Sequence, residues 1–228
     1  MTDLPGGDRK STAASPELIT DPQERARQEA ENGLRQASEV LEMVEHYRET
    51  GRPFKLRVSA VLHLHRIALD KISIFAGNFR PSDVTIGGSA HRPAGAHLVA
   101  EQIEEMSDYV NDNWAAKTAI HLSAYVLWRL NWIHPFDDGN GRTSRALSYL
   151  VLCVKLGYRL PGTNTIPEQI ATSKAPYYDA LEAADEAWKE HGRVDVSRLE
   201  SLLEGLLAAQ LVGVMEQASG QSYLDRDA

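Results

Sequence analysis

Of 228 residues only one is a cysteine, Cys153, which excludes an internal disulfide and fits a reducing compartment. With one thiol there is no zinc-finger spacing, and the phosphate-loop pattern GxxxxGK[ST] is absent as well. No uninterrupted apolar run approaches the roughly 18 residues of a membrane helix. The opening MTDLPGGDRK has no apolar stretch behind a basic start, so it does not read as a secretory signal. The expectation is a soluble, cytoplasmic chain with no membrane partner. Basic residues are in deficit, 24 Lys and Arg against 32 Asp and Glu, for a formal charge of −8. Such a chain gains nothing from approaching nucleic-acid phosphates over a broad surface, so no nucleic-acid partner is expected. Any anion that it binds has to be held by a local cluster. What is present is enough length for one large domain with a tail, burying around 70% of its unfolded surface without a staple.

Residues 1–20 mix Pro, Gly, Ser, Thr and charges and read as a flexible N-terminal arm. Asp21, Pro22 and Glu24 are the N-cap, first-turn proline and third-position acid of a helix start. A helical segment over 21–55 follows, stopped at Thr50-Gly51-Arg52-Pro53. A second helix, apolar over much of its girth, is expected over 55–75. Between Gly77 and Gly88 the β-branched residues alternate with polar ones, which predicts a short hairpin. Helical spacing returns over 96–112, 115–132, 141–156, 167–172, 175–190 and 195–217, with Gly157 as a left-handed stop. The expected architecture is all-α with one small β-hairpin, and the divisions are 1–20, 21–55, a core over 56–195 and a C-terminal helix and tail over 196–228.

The segment from Ile133 to Arg145 carries the chemistry. Gly139-Asn140-Gly141 can expose successive backbone N–H groups, and a loop of that kind opening into a helix N-terminus is a phosphate cradle. Arg142 and Arg145, three apart, project from the first turn on one side. Two cations at a positive helix end are unfavourable unless an anion lies between them. Asp138 precedes the glycines, where it can cap the helix or, with phosphate oxygens, hold Mg2+. His134, four residues earlier and before Pro135, is expected in extended backbone and can take a proton from an incoming hydroxyl. Phe136 is expected to anchor the loop in the core. Any one of these residues alone would more often be a turn former or a solvated charge.

Taken together, His134, Phe136, Asp138, Gly139, Asn140, Gly141, Arg142 and Arg145 meet the pattern H-x-F-x-[DE]-G-N-G-R-x-x-R, and the chain resembles the Fic family. At residue frequencies near 5%, a chance match of all eight positions is on the order of 10⁻¹⁰ per starting point. The likeness runs over roughly 56–190 and includes a segment similar to the Fic flap, with Gly77-Asn78-Phe79-Arg80 and Val84-Thr85-Ile86-Gly87-Gly88. Tyr177-Tyr178-Asp179-Ala180-Leu181 is similar to a stretch that follows the Fic core.

The resemblance implies a helical Fic fold and transfer of AMP from ATP to a Ser, Thr or Tyr hydroxyl of a protein. It implies His134 as base, Asp138 on Mg2+, Gly139, Asn140 and Gly141 around the phosphates, and Arg142 and Arg145 on the outer phosphates. Val84, Thr85, Ile86, Gly87 and Gly88 would form the flap that docks the target as an added strand. Other nucleotide transfer, removal of AMP, or ATP sensing without turnover are the competing readings, and a homodimer is one assembly that it allows.

The inhibitory pattern [ST]-x-x-x-E-[GN] of Fic proteins is met at Glu31-Asn32, with Arg27 in place of Ser or Thr, and more weakly at Glu204-Gly205. Autoinhibition through Glu31 is therefore expected, with Asn32-Gly33 ending a short helix and turning the acid inward. His63 and His65, two apart on a helix, face different ways and read as structural.

Overall fold

The computed structural model describes the backbone of Ser11–Thr12 and residues 18–220. Of the expected arm, residues 1–10 and 13–17 lie outside the described residues, as does the expected tail at 221–228. Eight α-helices make up the fold among the described residues, as expected for an all-α architecture.

Helix α1 (Pro22–Thr50) starts as its sequence dictates. The Asp21 side chain accepts from the Glu24 N–H at 2.8 Å, Pro22 occupies the first turn, and Gly51 closes the helix at φ +60°. Its inner stripe is Asn32, Gln36, Val40 and Val44, at the i, i+4 spacing of a buried face. Asn32 and Gln36 are buried polar residues, and both are satisfied. The Asn32 amide donates to the carbonyls of Ala68 and Asp70, and the Gln36 amide donates to that of Leu64. These bonds tie α1 along the end of α2 (Val58–Ala68). The helix therefore does not stop at Asn32-Gly33. Asn32 is fully engaged inward and the helix continues for 18 further residues to Thr50.

Helix α2 is shorter than the apolar spacing of 55–75 predicts. It ends at Ala68 with Leu69 as its C-cap, and Lys71 takes a positive φ, while Ala68, Leu69 and Ile72 pack as a small separate cluster. A single 3₁₀ turn at Ala96–Leu98 leads into α3 (Val99–Asp112). Helix α4 (Ala119–Ile133) is buried at every position from Leu122 to Leu130, and α5 (Asn140–Leu156) packs along it as the central pair. Each large apolar side chain so buried contributes about 1.5–3 kcal/mol. Helices α1 and α2 cover α5, α3 and α8 (Ser197–Ser219) pack on α4, and α6 (Ile166–Thr172) and α7 (Ala175–His191) fill in beside α8.

The expected hairpin takes another form. Arg80, at the middle of its first arm, is buried and spoken for: its backbone N–H donates to the Pro135 carbonyl and its guanidinium to the carbonyls of His134, Ser82 and Ala94. That arm is pinned to the 134–139 loop and cannot pair with the second. The second arm forms the short strand β2 (Thr85–Ile86), whose antiparallel partner is β1 (Ser11–Thr12) from the start of the chain. No described helix is long and apolar enough to cross a membrane.

Candidate active site

The loop between α4 and α5 is fixed at both ends by backbone that few residues adopt. His134 is the C-cap of α4 at φ +52°, ψ +58°, with its N–H on the Leu130 carbonyl at 2.9 Å. It is therefore left-handed and not extended, because that conformation both closes the helix and avoids the right-handed region that a following proline disfavours. At the other end Gly139 is the N-cap of α5 at φ +79°. A Cβ there would come within 2.2 Å of a Leu69 methyl, so glycine is required both by conformation and by space.

Between them Phe136 is fully buried and stacks on the His65 ring, with centroids 3.6 Å apart and planes 7° from parallel. The Asn140 side chain is engaged within the loop. It accepts from the Phe136 N–H at 3.0 Å and donates to the Phe136 carbonyl at 2.7 Å, closing the loop on itself. His65 supplies a brace that its sequence position did not reveal. Its Nδ1 accepts from the Gly77 N–H at 3.0 Å, so Nε2 carries the proton and donates to the Asp138 carbonyl at 3.1 Å. Burial pulls its imidazole down to about 4, which keeps it neutral in this role.

A cavity of about 740 Å³ opens over this loop. His134, Asp138, the three residues 139–141, Arg142 and Arg145 all line it. The His134 Nδ1–H donates to the Asn131 carbonyl at 3.3 Å, which leaves the ring lone pair on Nε2. Burial lowers this imidazole to about 4 as well, so it is neutral and able to accept a proton. Helix α5 begins with no side-chain cap, so its first N–H groups, from Asn140 onward, are the orphans of a helix start at the cavity wall.

The two arginines are not equivalent. Arg142 Nη2 lies 3.0 Å from Asp138 Oδ2 and its Nη1 lies 3.4 Å from Glu29 Oε1. Arg25 completes a ring of alternating charge, 3.0 Å from the same Asp138 oxygen and 3.2 Å from Glu29. Arg145 makes no ion pair among the described residues. Burial alone would raise the Asp138 carboxyl, but Arg142, the Gly139 N–H and Arg25 outweigh it and hold it below the usual aspartate range.

Glu31 is exposed, and the arginine that feels its charge is Arg35. The acid that reaches the loop is Glu29, two residues earlier. The reason is the uninterrupted helix: with Asn32 turned inward, Glu29 shares its stripe, while Glu31 lies outside it. Glu204 is likewise exposed, on α8. In the flap Val84 is buried, Thr85, Gly87 and Gly88 are exposed, and Ile86 is half-buried and lines the cavity. From α7, Lys174, Tyr177 and Tyr178 also border the cavity. The paired tyrosines carry the likeness to a segment beyond the Fic core, whereas nothing in the sequence singles out Lys174, Arg25 or Glu29. Among the described residues there is no cluster of three or more His, Cys, Asp or Glu able to cage a metal.

Residues 55–152 match the profile of the Fic/DOC family. Among curated proteins, the chain is 34% identical over 134 residues to the protein adenylyltransferase Fic of Drosophila willistoni, covering 58% of this chain and 25% of that protein. It is 30% identical over 135 residues to the protein adenylyltransferase fic-1 of Caenorhabditis briggsae, covering 58% and 24%. It thus spans about a quarter of the length of these relatives. Among solved structures, a Fic domain containing signaling protein from Bacteroides thetaiotaomicron superposes with a TM-score of 0.67 at 21% identity, over 84% of this chain and 74% of that one. The Bartonella tribocorum BepC protein with bound AMPPNP gives 0.56 at 16% identity, over 82% and 88%. These likenesses establish the helical fold.

Proposed function

From the match of residues 55–152 to the Fic/DOC family we propose that this chain is a protein adenylyltransferase. It would transfer AMP from ATP to a Ser, Thr or Tyr hydroxyl of a target protein. One observation carries the reading: a neutral imidazole, an uncapped helix start and a guanidinium, Arg145, with no ion pair among the described residues share one cavity. Phosphate binding alone requires only the last two. The His134 Nε2 is the group that takes the acceptor's proton as its oxygen attacks the α-phosphorus and pyrophosphate departs. The backbone N–H groups at the start of α5, together with Arg142 and Arg145, hold the triphosphate in line and stabilise its charge.

Mg2+ fits the donor set. The cation commonly takes one carboxylate and the substrate's own phosphate oxygens rather than a protein cage, and Asp138 is a single carboxylate kept ionised at the cavity wall. Bound there, Mg2+ would neutralise phosphate charge. The flap, Val84–Gly88, would receive the target as an added strand. A cytoplasmic setting belongs to the same proposal and is supported by the single, free thiol of Cys153.

The ring of Arg25, Glu29, Asp138 and Arg142 supports autoinhibition, with Glu29 as the restraining acid. It ties up Arg142 and the metal-holding carboxylate before nucleotide arrives. The test of the whole reading uses ATP labelled in its α-phosphate, with Mg2+. Label should be retained on protein, label from the γ-phosphate should not, and His134→Ala should abolish transfer while ATP still binds by calorimetry. Equal transfer by His134→Ala would remove the base and overturn the mechanism.

A further inference from the structure

The flap edge that would receive a target strand is already occupied, and the occupant is this chain. Ser11 lies opposite Ile86 and Thr12 opposite Thr85 in an antiparallel pair. Strand addition relies on main-chain bonds and makes little demand on side chains, so what matters is what the added strand carries. Here both positions are hydroxyl residues. The pair also lies beside the chemistry, since Ile86 lines the same cavity as His134, and the returning chain lines it again at Ile19 and Thr20.

We propose that Ser11–Thr12 is this enzyme's own acceptor segment, and that one of its two hydroxyls receives AMP within the same molecule. The inference rests on the transfer reading above. The hydroxyl oxygen forms a bond to the α-phosphorus of ATP as the bond from that phosphorus to the bridging oxygen of pyrophosphate breaks. The hydroxyl proton passes to His134, and nothing is oxidised or reduced. While β1 is seated, no other protein can add its strand to the edge of Thr85–Ile86 that it covers.

The experiment uses the full chain and its Glu29→Ala variant with α-labelled ATP and Mg2+, mapped by peptide mass spectrometry. One AMP per chain is expected on the peptide containing Ser11 and Thr12. It should be lost in the Ser11→Ala, Thr12→Ala double variant and in His134→Ala. An acceptor tethered in the same molecule is presented at an effective concentration on the order of mM, so diluting the protein about tenfold should leave the labelled fraction unchanged. Label on other residues with 11–12 bare, or a labelled fraction that falls in proportion to dilution, overturns the inference. Labelled lysate proteins alongside an unmodified 11–12 overturn it while leaving the transfer reading intact. No label on any protein overturns the transfer reading and the inference together.

Discussion

His65 holds the active loop from below with three contacts: a stack on Phe136, a bond to the Asp138 carbonyl and acceptance of the Gly77 N–H. Truncation to alanine leaves both backbone groups unpaired and empties the space under Phe136. His65→Ala should therefore lower unfolding free energy by about 2–4 kcal/mol in denaturant titration. It should also lower transfer, since Asp138 loses its brace. His65 and His134 have ordinary values of 6.5 that burial pulls down to about 4 in the folded chain. Below 6.5 the unfolded chain takes up protons that the folded chain refuses, so thermal stability should decline as pH drops from 6.5 toward 4, and the decline should be shallower in His65→Ala. The motif residues were legible because eight identities at fixed spacing stand together in the sequence. His65 was readable only as structural, because its partner is a carbonyl 73 residues away and a carbonyl leaves no mark on residue type.

At the scale of the element, α1 carries the acid proposed as the restraint, and its phase decides which acid reaches the loop. Residues two apart on a helix differ by about 200° in direction, at about 100° each, so Glu29 and Glu31 cannot serve the same arginine. Half-buried pairs of this kind are worth up to about 1 kcal/mol each. Glu29 makes two of them, so Glu29→Ala should raise the initial rate of α-label incorporation about fivefold to thirtyfold. Glu31→Ala should leave it unchanged. Loss of the N-cap in Asp21→Ala costs about 1 kcal/mol of helix stability; by fraying the turn that holds Arg25, it should give a smaller rise. Helix boundaries were largely legible from caps and glycine stops. The continuation through Asn32-Gly33 was not, because a buried amide that binds the end of α2 has the same spelling as a helix stop. The hairpin was not legible for the same kind of reason: alternation shows that a strand is wanted, but the partner of Thr85–Ile86 is Ser11–Thr12, near the start of the chain.

For the molecule as a whole, α1 cannot be cut away without cost. Val40 and Val44 of α1 are 2% and 1% exposed and belong to the main core. Deleting residues 1–50 should therefore expose the covered faces of α2 and α5 and produce an aggregating protein without a cooperative melt, whereas Glu29→Ala should melt near the parent. Point substitution is thus the workable route to an active form. The all-helical class was legible because α4 and α5 are long, apolar and well terminated. The cavity itself was not, since its walls are drawn from α1, the flap, the central loop and α7 at once.

The unequal state of the two arginines has a temporal consequence. Under the proposed function, an arriving triphosphate would meet Arg145 at once, while Arg142 would become available only after Glu29 and Asp138 have let go. Association should accordingly be biphasic in stopped-flow fluorescence. A fast phase should scale with nucleotide concentration, and a slower one should level off at the opening rate of the charge ring. In Glu29→Ala the second phase should level off at a higher rate, since only the Asp138 pair is left to open.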